Sequence, residues 1–397
     1  MPYPDPRICN PVPLGELERR WRAARAAMRE NGFDALVIQG ANNLAGTGGY
    51  FRWFTGVSAQ GSYPQTVIFP QDGLMTLVCH GPLHGDSDLQ GVDPTLPGIG
   101  RRLTTPAFPA IGYCVPYDAA LIAAELKRGG QRKVGVVGLN QMAFGSGTAI
   151  EKELGTALAD ATAIIDPLRA QKSEVELGFI RSTAAMQDEV LRRAMAHIEP
   201  GLSDFEVMAY SQYQGQLLGS ETGYFLGSSA PEGRPAFIRP RNQQGRKLAR
   251  GDVMFWQAEN TGPGGFFVHI GRLVTLGKAP QELVDAWGQA VEAQDFTVRL
   301  LKPGASCREI FAEYQSYLAA RKLPGETRLH CHGQGYDVVE RPLIRDDETM
   351  TIAAGMNIGI HPSWATQRYF ITVCDNFLVG ETGVERLHQT PRTIVEL

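Results

Sequence analysis

The stretch from residue 332 to residue 342 reads HGQGYDVVERP, and it decides the fold because four other segments stand in order around it. Upstream lie GDVMFWQ at 251–257 and GFFVHIGR at 265–272, and downstream lie GMNIGIHP at 355–362 and CDNFLV at 374–379. Each segment carries a side chain able to do chemistry. These side chains belong to Gln257, His269, His332, His361 and Cys374.

The second half of the chain contains an internal repeat. The heptapeptide PGLSDFE at 200–206 recurs as PGASCRE at 303–309. In each copy the serine can accept from helix N–H groups and the glutamate three residues later can reach back, which is the pattern of a capping box. We therefore expect helices that begin at Ser203 and Ser306 as N-caps, in two halves of one domain related by a local two-fold axis.

The first half of the chain alternates helical and extended segments. An amphipathic pattern predicts a helix over residues 14–31 that ends at Gly32, and ALVI at 35–38 follows as a buried strand. Such alternation is typical of an α/β layer. We place the boundary after this layer, which gives an α/β domain over residues 1–168 and a second domain over residues 169–397.

In order and spacing, the five segments resemble the creatinase/prolidase/aminopeptidase P family, whose catalytic domain has the pita-bread fold. The resemblance extends to the linker LRAQKSEVE at 168–176 and to the aromatic run YFRWFTG at 50–56, so it covers roughly the whole chain. It implies an α/β N-terminal domain and a duplicated α+β pita-bread domain around a central cleft. It also implies a homodimer in which the N-terminal domain reaches the partner's cleft, where Trp53 would be available to bind substrate.

The family usually holds two divalent metals on two aspartates, one histidine and two glutamates. At the matching positions this chain has Gln257, His269, His332, His361 and Cys374, so only the histidine is retained. One more residue separates Gln257 from His269 than in the usual spacing. We expect no dimanganese or dicobalt centre, and the cofactor is either absent or one divalent zinc, iron or copper ion.

A metal-free acid–base site is the first interpretation. Creatinase, in the same family, has also lost the metal carboxylates and hydrolyses a C–N bond with histidine and glutamate, although its histidine before the Gly-Asp strand has no counterpart in FIRPR at 237–241. Here His332 or His361 would exchange the proton, Glu340 would orient the imidazole and His269 would complete the catalytic set. The reaction would be hydrolysis of an amide or amidine bond in a small carboxylate-bearing substrate. The predicted substrate-binding side chains are those of Trp53, Arg239, Arg241, Gln257 and Arg272.

Two other interpretations stay open. In one, His269, His332 and His361, with Cys374, bind a single metal that supports hydrolysis or a lyase reaction, as in the family's dimethylsulfoniopropionate-cleaving branch. In the other, the chain is a catalytically inactive pita-bread module that binds a partner. Metal analysis combined with turnover assays would separate the three.

Composition narrows the classes of partner and compartment. A hydrophobic content of 43% and a charged content of 20% are those of a globular protein, and a net charge of −4 gives no reason to expect nucleic acid or an anionic membrane as a partner. No apolar run is long enough to span a bilayer, and the N-terminus lacks the pattern of a signal peptide. The six cysteines form no CxxC pair, so we expect reduced thiols and a cytoplasmic location.

Overall fold

The structure is a computed structural model that describes residues 11–40, 46–59, 63–108 and 110–397, with the backbone alone for Arg241. Contacts divide the described chain into two compact units, of which the first ends at Arg169 and the second runs from Ala170 to Leu397. The first unit has the α/β character and the second the α+β character expected from the sequence.

A seven-stranded mixed sheet forms the centre of the first unit, with strand order β4-β5-β3-β2-β1-β6-β7. The elements are α1 (Leu14–Asn31), β1 (Ala35–Gly40), α2 (Gly49–Thr55), β2 (Gln65–Pro70), β3 (Met75–His80), β4 (Gly85–Asp88), β5 (Ile99–Thr105), α3 (Val115–Arg128), β6 (Val134–Val137), α4 (Phe144–Leu154), β7 (Ala159–Asp160) and α5 (Thr162–Ala170), which crosses the division. Helix α1 ends as predicted, because Gly32 adopts a left-handed φ of 68° as its C-cap.

Antiparallel sheets of four and five strands form the second unit, with orders β18-β10-β9-β8 and β12-β11-β13-β16-β17. The elements are α6 (Glu174–His197), α7 (Asp204–Leu217), β8 (Gly223–Pro231), β9 (Asp252–Thr261), β10 (Phe267–Thr275), α8 (Gln281–Leu300), α9 (Cys307–Ala320), β11 (Cys331–Gly333), β12 (Glu340–Leu343), β13 (Asn357–Ile360), β14 (Ser363–Ala365), β15 (Phe370–Thr372), β16 (Asp375–Val379), β17 (Val384–Arg386) and β18 (Val395–Glu396). Strands β14 and β15 form a separate hairpin. Over the described ranges, every helix is too short or too polar to cross a membrane.

Both copies of the sequence repeat begin a helix at their serine. Glu206 accepts the backbone N–H of Ser203 at 2.7 Å, while the hydroxyl of Ser306 accepts the N–H of Glu309 at 3.4 Å. Each serine is the N-cap of its helix, α7 or α9, as the repeat predicts.

The backbone around the two caps also repeats. The N–H of Gly201 donates to the carbonyl of Leu248 at 2.8 Å, and the N–H of Gly304 donates to the carbonyl of Ile352 at the same distance. In each half a pair of helices precedes an antiparallel sheet. The second unit is therefore built from two similar halves.

Candidate active site

One face of the hairpin formed by β9 and β10 carries the first group of polar side chains. In the antiparallel register, Glu259 lies opposite His269 and Gln257 lies opposite Gly271. Side chains alternate between the two faces of a strand, so Gln257, Glu259 and His269 share one face. Tyr224 of β8 is the other cross-strand neighbour of Glu259 and extends the same row.

The five-stranded sheet carries the second group. His332 of β11 pairs with Gly359 of β13, which also pairs with Asn376 of β16, and His361 directly follows β13. A Cβ on Gly359 would lie only 2.2 Å from Nε2 of His269. The glycine therefore leaves the space into which the imidazole of His269 packs.

Three histidines from these segments lie together. Their ring centroids are separated by 5.4 Å between His269 and His332, 5.3 Å between His269 and His361, and 5.1 Å between His332 and His361. Each pair meets edge to face. The structure thus brings the three predicted histidines into one cluster.

His332 has a defined proton position and a free lone pair. Its Nδ1 lies 2.9 Å from the carbonyl oxygen of Gly333. A carbonyl oxygen only accepts, so Nδ1 carries the proton of the neutral ring and Nε2 carries the lone pair. Burial, with the neighbouring His269 as the next cause, lowers the pKa of His332 to about 4. At neutral pH this imidazole is an uncharged acceptor.

His361 is held in the neutral form even more strongly. Burial lowers its pKa well below the usual value, and the nearby His332 and His269 add to the effect, because a second positive charge in the cluster is unfavourable. Two rings of the cluster, those of His332 and His361, are therefore neutral near neutral pH.

Glu259 is a member of the site that the sequence interpretation missed. Its Oε1 lies 3.9 Å from Nδ1 of His269 and accepts the Nε2–H of Gln257 at 2.5 Å. Burial alone would raise the pKa of Glu259, but its polar neighbours, among them the Gln257 amide that donates to it, outweigh burial and hold the pKa below its usual value. The site thus contains one carboxylate beside its neutral imidazoles.

The wall beside this carboxylate holds Gln257 and Cys374. A Cβ on Gly271 would lie 2.9 Å from Cβ of Cys374 and 3.2 Å from Oε1 of Gln257, so the two side chains are close neighbours. Cys374 is fully buried, and burial raises the pKa of its thiol well above the usual value. In the absence of a metal ion this thiol therefore stays protonated near neutral pH.

Glu340, predicted to orient an imidazole, makes a buried ion pair. Its carboxylate accepts Nζ–H of Lys172 at 2.9 Å in a buried ion pair and the N–H of Asp337 at 3.2 Å. It also lies against Gly335, where a Cβ would be 2.4 Å from Oε2. Glu259 lies beside an imidazole of the cluster, at 3.9 Å from Nδ1 of His269, and the orienting role of Glu340 stays a prediction.

Arg272 is a structural residue and its predicted role in binding substrate is wrong. The side chain is fully buried, and its guanidinium donates to both carboxylate oxygens of Asp375, at 2.8 and 3.1 Å. Further N–H groups donate to the carbonyls of Pro391 and Thr390 at 2.9 and 3.1 Å. With its donors engaged inside the protein, Arg272 ties β10 to β16 and to the C-terminal segment.

Replacing Arg272 with methionine should lower the free energy of unfolding by about 3–5 kcal/mol, because Asp375 would lose its main partner while remaining buried. Urea denaturation followed by circular dichroism measures this change. The matched control is Arg181→Met, which breaks an exposed ion pair with Glu385 and should cost less than about 1 kcal/mol. Equal effects of the two changes would contradict the structural role of Arg272.

The remaining predicted substrate-binding residues are Trp53, Arg239 and Arg241. Trp53 is 1% exposed inside the first unit, where its ring packs edge to face on Phe54 with Arg20 nearby. Arg239 is exposed on the segment that follows β8. The side chain of Arg241 lies outside the described residues.

The side chains at the family's ligand positions do not fit its two-metal centre. Gln257 supplies an amide, Cys374 a protonated thiol, and His269 has its Nδ1 3.3 Å from the amide nitrogen of Gln334. In the described part of the chain, no group of three or more histidine, cysteine, aspartate or glutamate side chains is arranged to hold a metal ion. This applies also to His269, His332, His361 and Cys374, which were predicted to bind a single metal.

The chain is similar to two curated relatives over most of its length. It is 24% identical over 256 residues to the uncharacterized hydrolase/peptidase y4tM of Sinorhizobium fredii and 24% identical over 246 residues to the probable dipeptidase PepE of Mycobacterium tuberculosis. The matches cover 60% and 61% of this chain. They span 62% and 64% of the length of those relatives, which is less than two thirds.

Solved structures share the fold. The dipeptidase PepE from Mycobacterium ulcerans superposes with a TM-score of 0.75 at 21% identity, covering 97% of this chain and 99% of that one. The Xaa-Pro dipeptidase from Bacillus anthracis superposes with a TM-score of 0.75 at 16% identity, covering 96% and 100%. The pattern of the Creatinase/Prolidase N-terminal domain matches residues 20–171, and that of Metallopeptidase family M24 matches residues 178–384. The chain therefore belongs to metallopeptidase family M24, with a creatinase/prolidase N-terminal domain ahead of the pita-bread domain.

Proposed function

We propose that this chain is a metal-independent hydrolase that cleaves a C–N bond, of the amide or amidine type, in a small substrate. The observation that carries the proposal is that the imidazole of His332, with its proton on Nδ1, and the carboxylate of Glu259 both lie beside His269, in a site without the family's carboxylate ligands. Relatives named as dipeptidases cleave an amide C–N bond, which supports the bond type.

In this proposal His332 performs the proton transfers. Its Nε2 takes a proton from a water molecule as the water oxygen forms a bond to the substrate carbon. The imidazolium then gives that proton to the nitrogen as the C–N bond breaks, so His332 returns to its neutral form. Because the pKa of His332 is lowered to about 4, its protonated form is a strong acid and donates readily to a leaving nitrogen.

Glu259 binds the nitrogen side of the substrate. An anionic carboxylate accepts N–H groups from an amidine or an amide, and a charge-assisted hydrogen bond of this kind is among the stronger polar contacts in proteins. In this proposal the rings of His269 and His361 form walls of the site. The predicted carboxylate on the substrate would contact the exposed Arg239.

Turnover should survive removal of metal. We would assay release of ammonia or amine from a panel of small amidines, N-acyl amino acids and dipeptides, before and after dialysis against a chelator, with the metal content measured on the same samples. Activity that disappears with a stoichiometric metal would support the single-metal interpretation. No turnover and no metal would favour the inactive binding module.

Replacing Glu259 with glutamine should raise KM about tenfold to a hundredfold on the substrate found in the panel, because a charged hydrogen bond becomes a neutral one. The change in kcat should be smaller. Glu313→Gln on the exposed face of α9 is the matched control and should leave both constants unchanged. An unaltered KM in Glu259→Gln would remove Glu259 from substrate binding.

A further inference from the structure

Buried hydrogen bonds through Asn376 and Gln334 connect the backbone N–H of His269 to its own side chain and so form a closed ring. The N–H of His269 donates to Oδ1 of Asn376 at 2.9 Å, and Nδ2 of Asn376 donates to Oε1 of Gln334 at 2.8 Å. The Nε2 of Gln334 then lies 3.3 Å from Nδ1 of His269. All three side chains are completely buried, so water does not compete for these contacts.

Backbone groups fix which way each amide faces. The N–H of His269 can only donate, so the oxygen of the Asn376 amide must face it and the nitrogen must face Gln334. Asn357 provides a second anchor, because its Oδ1 accepts from Asn376 at 2.8 Å while its Nδ2 faces the backbone carbonyls of Phe267 and Gln334. Carbonyls only accept, so turning over Asn376 or Asn357 would break hydrogen bonds at both ends of the amide, and turning over Gln334 would place its N–H groups against those of Asn376.

The ring determines where His269 carries its proton. Since Gln334 presents an N–H group to Nδ1, Nδ1 must be the lone-pair nitrogen and the proton of the neutral ring must be on Nε2. The Nε2 atom packs against Gly359 and has no hydrogen-bond partner among the described residues. Nδ1 then has no proton to donate to Glu259, and the 3.9 Å between them is longer than a hydrogen bond.

We propose that Asn376 and Gln334 are positioning residues that hold His269 in its Nε2–H tautomer, so that the carboxylate of Glu259 is kept for the substrate. The consequence for substrate binding rests on the function proposed above, whereas the tautomer itself does not. A protonated Nδ1 would turn toward Glu259, share its proton with the carboxylate and compete with the substrate for it. The two amides prevent this competition.

The tautomer can be read directly by NMR from protein labelled with ¹⁵N-histidine, because a protonated and an unprotonated ring nitrogen have well separated chemical shifts. His269→Gln assigns the signal. In the wild-type protein we expect Nδ1 of His269 without a proton and Nε2 with one. A proton on Nδ1 in the wild-type protein would overturn the proposal, whether or not any substrate has been found.

Asn376→Asp should reverse the tautomer through Gln334. A carboxylate still accepts the N–H of His269 but cannot donate to Gln334, so the Gln334 amide turns over and presents its oxygen to Nδ1. The proton should therefore move from Nε2 to Nδ1. Asn31→Asp, the same chemical change at an exposed site in the first unit, should leave the His269 signals in place. An unchanged tautomer in folded Asn376→Asp would contradict the ring as its cause.

Gln334→Met tests the consequence for Glu259 without adding charge. It removes the N–H that opposes protonation of Nδ1, so His269 can donate to the carboxylate. Binding of acetamidinium, followed by the same histidine signals, should weaken about tenfold relative to wild type. If the tautomer changed and the affinity for acetamidinium did not, the hydrogen-bond ring would act on His269 alone. The proposed effect of the ring on substrate binding by Glu259 would then be wrong.

Discussion

Replacing His332 with alanine should lower kcat by about a thousandfold or more on the substrate identified in the panel. A positioned acid–base residue contributes roughly 10²–10⁴ to the rate, and His332 serves both transfers in the proposed reaction. Its Nδ1 is held by the carbonyl of Gly333 at 2.9 Å, which directs Nε2 as the reactive nitrogen. Steady-state kinetics on wild type and variant, at equal folded concentration, measure the loss.

Two variants separate chemistry from folding in this test. His332→Gln fills most of the space of the imidazole but cannot exchange a proton, so it should be as inactive as His332→Ala while keeping the far-UV circular dichroism of wild type. His84→Asn removes an exposed imidazole from the first unit, at a left-handed φ of 59° that asparagine tolerates, and should retain full activity. Appreciable turnover by His332→Gln would exclude His332 as the acid–base residue.

Sequence alone predicted the features that depend on local chemistry. The capping serines of the repeat and the terminal glycine of α1 were correct because a cap is decided within a few neighbouring residues. The cluster of His269, His332 and His361 was expected because the family resemblance fixes which strands neighbour one another. These predictions needed no knowledge of which direction a side chain faces.

The roles of individual side chains were harder to predict because register decides them. The sequence has one extra residue between Gln257 and His269. In the hairpin register of the structure, Glu259 and not Gln257 lies directly opposite His269. Gln257 and Glu259 are two residues apart on the same face of β9, so the sequence pattern alone could not show which of them lies opposite His269.

The partners of charged residues could not be predicted, because sequence does not show which residues meet. Arg272 and Glu340 lie within two of the five segments, and each forms a buried ion pair with a residue far away in sequence, Asp375 and Lys172. The roles of the Gln334 and Asn376 amides were not predicted, for a related reason. An amide acquires a specific role only when the atoms on both sides of it are known.

The stability of the protein should fall steeply between pH 6.5 and pH 4. Burial is the first cause that lowers the pKa of His330 to about 3, and of His332 and His388 to about 4. An unfolded histidine titrates near 6.5, so below that pH the unfolded chain binds more protons than the folded one. The stability contributed by the neutral rings is therefore complete above pH 6.5 and is lost as the pH falls toward 4.

Each histidine of this kind lowers the free energy of unfolding by roughly 1.4 kcal/mol for each pH unit between its unfolded and its folded pKa. At pH 5 the three together should remove roughly 6 kcal/mol, which is comparable with the whole stability of many domains at about 5–15 kcal/mol. His361, whose pKa is also lowered by burial, acts in the same direction. Urea denaturation at a series of pH values from 8 to 5 should show the decline, with most of the loss below pH 6.

A variant that removes one titrating ring tests the assignment. His330 is fully buried and stacks on Tyr314 with ring centroids 3.6 Å apart, and it also lies 3.3 Å from the hydroxyl of Thr297. His330→Phe keeps an aromatic ring in the stack but cannot bind a proton, so its stability should fall less steeply with decreasing pH by about one proton's worth of slope. If the free energy of unfolding of the wild-type protein did not change from pH 7 to pH 5, these rings would bind protons in the folded protein. The neutral imidazole that the proposed chemistry requires would then be absent.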